Sequence, residues 1–284
     1  MYENYREIPS PLQAIWNILD DYAATKPSVI RCIFRATGFL LLTLVLIGPY
    51  AVCGFAYPAG KRPVAAMWFK ACLKFCGLKV RINGTVHTRG ATLFVANHAS
   101  YLDILVLGSL VDARFVAKRD VASWPLFGLL AKLANTIFVT RDRKRAVCDC
   151  AGLSDALQND ESLILFPEGT SSNGLGVLQF RSTLFACVDP RQVPSEIKMQ
   201  PISIAYTRYA DGRRLKGELT DLYAWYGDMT LADHLLSVFG LKGAVVDIHF
   251  MPPIQPAAFQ NRKTLATAAE SAVRSSLEKA HANA

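Results

Sequence analysis

Apolar and polar positions alternate in three different ways along the chain. Acids and bases are interspersed with apolar residues as far as Arg35, after which no charged residue occurs from Ala36 to Gly60. That run has Phe39-Leu40-Leu41-Leu42-Thr43-Leu44-Val45-Leu46-Ile47 at its centre. It is longer than the roughly 20 residues needed to cross a bilayer core of about 30 Å. Gly48-Pro49 interrupts it, and because proline removes a helix hydrogen bond, the segment reads as a kinked span or as a shallow helical hairpin. A buried core helix fits the same pattern. From Arg62 to Gly77, Trp68, Phe69, Leu73 and Phe75 mix with Lys70 and Lys74, as on a helix that lies in the headgroup layer or packs on the domain that follows.

From Lys79 onward short β-rich runs alternate with helical patterns. Strands are predicted at 79–82, 92–96, 114–117, 136–139, 162–166, 200–205 and 244–248. Helices are predicted at 103–111, 125–134, 144–158 and 178–188, with a final surface helix in the tail from Asn261 to Ala284. The alternation predicts an α/β fold: a mixed, mainly parallel sheet flanked by helices, preceded by an N-terminal membrane-anchoring helical segment. The expected organisation is an N-terminal extension (1–35), a membrane anchor with an interfacial helix (36–78) and one α/β domain (79–284).

Composition adds a partner to this picture. Of 284 residues, 51% are hydrophobic and 19% charged, which excludes a disordered chain or a disulfide scaffold. The 31 Lys and Arg outnumber the 23 Asp and Glu, giving a net charge of +8. An apolar and basic chain fits an anionic membrane surface better than nucleic acid. The first thirty residues carry Glu3, Glu7, Asp20 and Asp21 and lack the basic start of a cleavable signal. Lys61, Arg62, Lys70, Lys74, Lys79 and Arg81 follow the apolar run, against Lys26, Arg31 and Arg35 before it, so the main domain is expected on the cytoplasmic face. The seven cysteines form no C-x-x-C pair and read as reduced core thiols, with no metal site expected.

Three blocks carry candidate chemistry. Asn97-His98-Ala99-Ser100-Tyr101-Leu102-Asp103 lies where a strand should end and a helix begin. On a straight helix His98 and Asp103 would point apart, so they meet only if the chain turns between them. Brought together they would form a general base with its orienting acid. The same residues would serve equally as a core histidine and a first-turn helix acid. Phe166-Pro167-Glu168-Gly169-Thr170-Ser171-Ser172 also follows a strand and offers a carboxylate and turn N–H groups to a polar ligand, or else is a tight turn with capping hydroxyls. Thr136-Ile137-Phe138-Val139-Thr140-Arg141 runs a strand into a basic cluster that either forks a phosphate or is a solvated edge. The G-x-S-x-G elbow, the P-loop and the G-x-G-x-x-G turn are all missing from the sequence.

Taken together and in this order, the N-H-x-x-x-x-D and F-P-E-G-T motifs resemble the 1-acylglycerol-3-phosphate (glycerolipid) acyltransferase family over roughly residues 60 to 210. The resemblance implies that 79–284 is an acyltransferase catalytic domain, with His98 as general base and Asp103 as its orienting acid. Glu168, Gly169 and Thr170 match the acceptor-binding motif, Arg141 closes the family's I-F-x-x-R block, and Lys118 and Pro201 match family positions near the phosphate and the acyl side. The implied reaction is direct transfer from an acyl-CoA or acyl carrier protein thioester to a lysolipid hydroxyl, without an acyl-enzyme and without a cofactor. Membrane lipids are the implied partners, and no nucleic acid is.

One departure bears on the acceptor. The family commonly has Arg after E-G-T, where this chain has Ser171. Members that acylate lyso-ornithine lipid are similar in having E-G-T-S-S, and Trp225-Tyr226-Gly227-Asp228-Met229 resembles the same branch. Lysophosphatidate is the first expectation, since Arg141, Lys118 and Arg181 remain to bind phosphate, and lyso-ornithine lipid is the alternative. A noncatalytic membrane-surface protein and a lipid or thioester hydrolase are the competing classes.

Overall fold

The computed structural model describes residues 25–56, 60–140, 143–194, 196–215 and 217–284. Seven strands form one sheet: β1 (Leu78–Gly84), β2 (Thr92–Ala96), β3 (Arg114–Lys118), β4 (Ile137–Val139), β5 (Leu163–Leu165), β6 (Lys198–Tyr209) and β7 (Ala244–Phe250). Their order is β1-β7-β6-β2-β5-β3-β4. Every neighbouring pair is parallel except β6 with β7, which run antiparallel with Ile204 opposite Ile248. The sheet is thus mixed and mainly parallel, as the alternation predicts. All five residues of β2 are buried, as a strand covered on both faces requires.

The period-two alternation of β2 divides the interior. Phe94 and Ala96 join a core with Leu102, Val106, Ile164 and Ile248, while Leu93 and Val95 join another with Leu163, Phe185, Leu265 and Val273. Helices α1 (Val29–Ala56), α2 (Lys61–Phe75), α3 (Leu102–Leu110) and α6 (Leu231–Gly240) pack with one another around the first core. Helices α5 (Arg143–Gln158) and α7 (Arg262–Ala282) cover the second, and α4 (Phe127–Leu133) packs on the 3-10 turn Arg119–Ser123, which meets β3 and β4.

Helix α1 differs from the expected anchor in two ways. It runs unbroken through Pro49, so it is one helix and not a hairpin. It also begins seven residues before the charge-free run, because its early cations find partners on the domain. Arg31 donates to the Gly240 carbonyl (2.7 Å), and Arg35 to those of Leu241 (2.7 Å) and Phe239 (3.3 Å). These are the orphan carbonyls and negative dipole end of α6, where a cation is favoured. Farther along, Phe39 meets Phe239, Thr43 accepts from the Trp68 indole at 2.9 Å, and the Tyr50 hydroxyl donates to Leu133 O at 3.0 Å. One face of α1 therefore touches the domain over most of its length. The other leaves Ile30, Phe34, Leu41, Leu44, Val45 and Val52 exposed. By length and apolar composition α1 is able to cross a membrane.

Helix α2, which the sequence leaves between membrane surface and domain, packs on the domain. Arg62 reaches the Gly108 carbonyl (2.9 Å) and Asp112 (3.3 Å), and Cys72 and Leu73 are buried. A Cβ at Gly108 would stand 2.6 Å from the Phe69 ring, so any larger residue there has to push that ring aside. The expected helix at 178–188 is not formed. The chain is extended to Arg181 and makes a short 3-10 turn over Ser182–Val188, because the Phe180 N–H is taken by Glu270 (2.8 Å) and the Arg181 N–H by Pro167 O (2.9 Å). Helix α6 was not predicted, although Thr230 followed by an apolar stripe marks its start.

Candidate active site

The site forms where β2, β5 and β3 end side by side. In a parallel sheet the carboxyl ends of neighbouring strands face the same crevice. The chain leaving β2 is held by Asn97, buried, whose amide donates to Ile204 O (2.9 Å) and accepts from Ile204 N–H (2.8 Å). One side chain thus satisfies both main-chain groups of Ile204 on β6 and fixes where His98 emerges. Sequence reasoning passed over Asn97 even though it is the first letter of the motif.

The turn expected between His98 and Asp103 is present. The Asp103 carboxylate folds back beneath it, with Oδ2 at 2.8 Å from His98 Nδ1 and accepting the N–H groups of Ala99 (2.8 Å) and Ser100 (3.0 Å). Asp103 is thus the acid in the first turn of α3, bonded to the N–H groups of Ala99 and Ser100, and it also meets the histidine ring. Its Oδ1 accepts the Tyr206 hydroxyl at 2.8 Å. Surrounded by donors, the fully buried Asp103 carboxylate is placed to accept a hydrogen bond from His98 Nδ1–H, the tautomer that leaves Nε2 with a lone pair. The His98 side chain keeps 17% exposure and stacks on Phe166 with centroids 4.1 Å apart.

The second block is tied to the first through the backbone of His98. Its N–H donates to Glu168 Oε1 (3.1 Å), and its carbonyl accepts both the N–H and the hydroxyl of Ser172 (2.9 and 3.3 Å). Glu168 is 2% exposed, and its Oε2 has no hydrogen-bond partner among the described residues. Burial pushes its carboxyl up to about 8; the N–H groups of His98 and Leu178 pull it down, Asp103 pushes it up and Arg274 pulls it down. Burial thus favours the protonated form of this carboxyl. Gly169 sits at φ +67°, in the left-handed region, and a Cβ there would meet the Arg181 guanidinium at 2.9 Å. Thr170 is exposed at the rim.

Helix α7 straps this loop from outside. Besides the bond from Phe180 to Glu270, Arg274 donates to Val177 O (2.6 Å) and Glu270 (2.9 Å), and His281 lies 3.0 Å from Gly174 O. Lys118 is the last residue of β3, two strands from His98 and so about 10 Å away at the usual strand spacing. Pro201 is buried in β6 opposite Val95, its carbonyl accepting from Met251 N–H at 3.1 Å. Arg141 lies outside the described residues. Trp225, of the Trp225–Met229 segment, donates its backbone N–H to Ala99 O (2.8 Å) and meets the rings of Tyr101 and Trp124 edge-on.

Next to the site, Phe39, Trp68, Tyr101, Phe115, Trp124 and Phe127 help line an apolar cavity of about 180 Å³ between helices α1 and α2 and the rest of the fold. Cys76 borders it, and burial pushes the thiols of Cys76 and of Cys187 up to about 12, which keeps both from acting as thiolate nucleophiles.

Comparison with known proteins shows the family. Residues 77–205 match the family model described as Acyltransferase. A lyso-ornithine lipid O-acyltransferase of Rhodobacter capsulatus is 36% identical over 73% of this chain and 73% of its own length. A lyso-ornithine lipid O-acyltransferase of Rhizobium meliloti is 35% identical over 79% of this chain and 78% of its own. A 1-acyl-sn-glycerol-3-phosphate acyltransferase of Neisseria gonorrhoeae is 27% identical over 70% and 73%. The crystal structure of the 1-acyl-sn-glycerophosphate acyltransferase PlsC from Thermotoga maritima superposes with a TM-score of 0.53 at 21% identity, covering 86% of this chain and 97% of that one, and so shares the fold. The chain belongs to the acyltransferase family and is an O-acyltransferase.

Proposed function

We propose that the protein transfers an acyl group from a thioester to the hydroxyl of a lysolipid, with His98 as general base. The observation that carries this reading is the 2.8 Å contact between His98 Nδ1 and buried Asp103, in a site without a serine or cysteine nucleophile motif. His98 Nε2 takes the proton of the acceptor hydroxyl as its oxygen attacks the thioester carbonyl. When the tetrahedral intermediate collapses, the carbon–sulfur bond breaks and the imidazolium returns the proton to the thiolate. Asp103 holds the ring and stabilises its charge. The donor is acyl-CoA or an acyl carrier protein thioester, and the apolar cavity suits an acyl chain. The exposed face of α1 rests in the membrane, with the basic domain on the cytoplasmic side.

Lyso-ornithine lipid is the acceptor best supported. Ser171 stands where an arginine commonly follows E-G-T, and relatives that carry this name match at 35–36% identity. Lysophosphatidate is the second reading, favoured by one observation: the Arg181 guanidinium lies over Gly169 and supplies a cation that Ser171 lacks. Detergent-purified protein given one acyl thioester and an equal mixture of the two lysolipids, with products read by mass spectrometry, decides between them. Acylated ornithine lipid as the main product supports the first reading and phosphatidate the second. Fatty acid release with no acylated lipid would refute both.

A further inference from the structure

Asp103 is fixed from two sides, and the local turn accounts for only one of them. The turn and His98 occupy Oδ2; Oδ1 is held by a residue more than a hundred positions away, the hydroxyl of Tyr206 on β6. Tyr206 is 4% exposed and its ring lies parallel to that of Tyr223, with 5° between planes and 6.2 Å between centroids. The strand is built to aim it. The pairing of β6 with β7 slips between Tyr206 and Arg208, leaving Thr207 as an extra residue, and the Thr207 hydroxyl anchors this bulge on Asp247 at 2.6 Å. Bulges of this kind redirect a side chain beside a site. Burial, with Asp103, Tyr101 and Cys76 facing the ring, keeps the Tyr206 phenol protonated and therefore a donor.

We propose that Tyr206 is a positioning residue for acyl transfer, whose hydroxyl fixes the rotation of the Asp103 carboxylate and draws off part of its charge, and thereby sets the orientation and basicity of His98. This rests on the reading of His98 as the base. The His98 ring is faced by Asp103 from α3, and its backbone N–H by Glu168 from the loop after β5. Without the Tyr206 donor the carboxylate is free to rotate, and more of its charge falls on the imidazole. The imidazolium is then stabilised and fewer molecules carry the free base at a given pH.

The test uses the full chain in detergent with a long-chain acyl-CoA and the lysolipid that wild type turns over. Tyr206→Phe keeps the ring and its stacking. Its expected kcat is lower by roughly 10–100-fold, as for losing a hydrogen bond to a charged group, with the KM of both substrates unchanged. The acidic limb of kcat/KM is expected to move to higher pH. Replacing Tyr206 by 3-fluorotyrosine, a more acidic phenol and stronger donor, should move that limb the opposite way, and this decides the matter if Tyr206→Phe does not fold. A wild-type rate and pH profile in Tyr206→Phe, a loss confined to KM, or a limb unmoved by fluorination would overturn the proposal. Retained transfer in His98→Ala would instead refute the base assignment beneath it.

Discussion

Ser172 donates both its backbone N–H, at 2.9 Å, and its hydroxyl, at 3.3 Å, to the carbonyl oxygen of His98. Together with the bond from His98 N–H to Glu168, this makes one rigid unit of two motifs that lie 70 residues apart. The loop after β5 cannot shift without moving His98.

Ser172→Ala removes only the longer of the two bonds and also the support that its hydroxyl gives to Gly174 N–H (3.3 Å). The expected loss is about 0.5–1.5 kcal/mol, hence a kcat lower by roughly 2–10-fold with an unchanged protein fold. Steady-state kinetics beside circular dichroism checks this, and a loss as complete as that of His98→Ala would mean that Ser172 touches the chemistry itself.

Glu168 makes stability depend on pH. Its carboxyl is raised from 4.5 to about 8 in the folded protein, so between these values the unfolded chain is ionised while the native chain still holds the proton. Stability is full below pH 4.5 and declines as pH rises toward about 8, by an amount on the order of a few kcal/mol. Glu168→Gln lacks this penalty. Its Tm should exceed that of wild type at alkaline pH and the difference should vanish at acid pH; a gap independent of pH would contradict the buried acid.

The pairing of α1 with α6 is testable in the same way. Arg35→Ala leaves carbonyls at the end of α6 without their cation, at a cost of about 0.3–1 kcal/mol for the dipole contact and more for the lost hydrogen bonds. Limited proteolysis in detergent should then cut between α1 and α2 faster than in wild type. An unchanged cleavage rate would show that the apolar contacts of Phe39 suffice to dock the helix.

Much of this architecture was legible from local pattern. The strands 92–96 and 244–248, the helix 144–158 and the meeting of His98 with Asp103 follow from periodicity and from the need for a turn. What escaped was set by distant partners. Arg31 and Arg35 looked like the polar edge of an anchor, yet α6 absorbs them into the first turns of α1. Residues 178–181 have helical composition, but Glu270 and Pro167 claim the N–H groups that a helix would need. Asn97 and Tyr206 act across the sheet on Ile204 and Asp103, pairings that no sequence spacing displays. The roles expected of Lys118, Glu168, Gly169 and Thr170 rest on resemblance, and the structure adds for Glu168 a buried carboxyl oxygen without a partner among the described residues.

The most direct test of the account is transfer of a radiolabelled acyl group from acyl-CoA to lyso-ornithine lipid by folded His98→Ala protein, compared with wild type at saturating substrates. The account predicts a fall in kcat of about 100-fold or more, with a normal thermal transition and no covalent acyl-protein in either sample. Turnover within a few-fold of wild type, or label trapped on the protein, would contradict it.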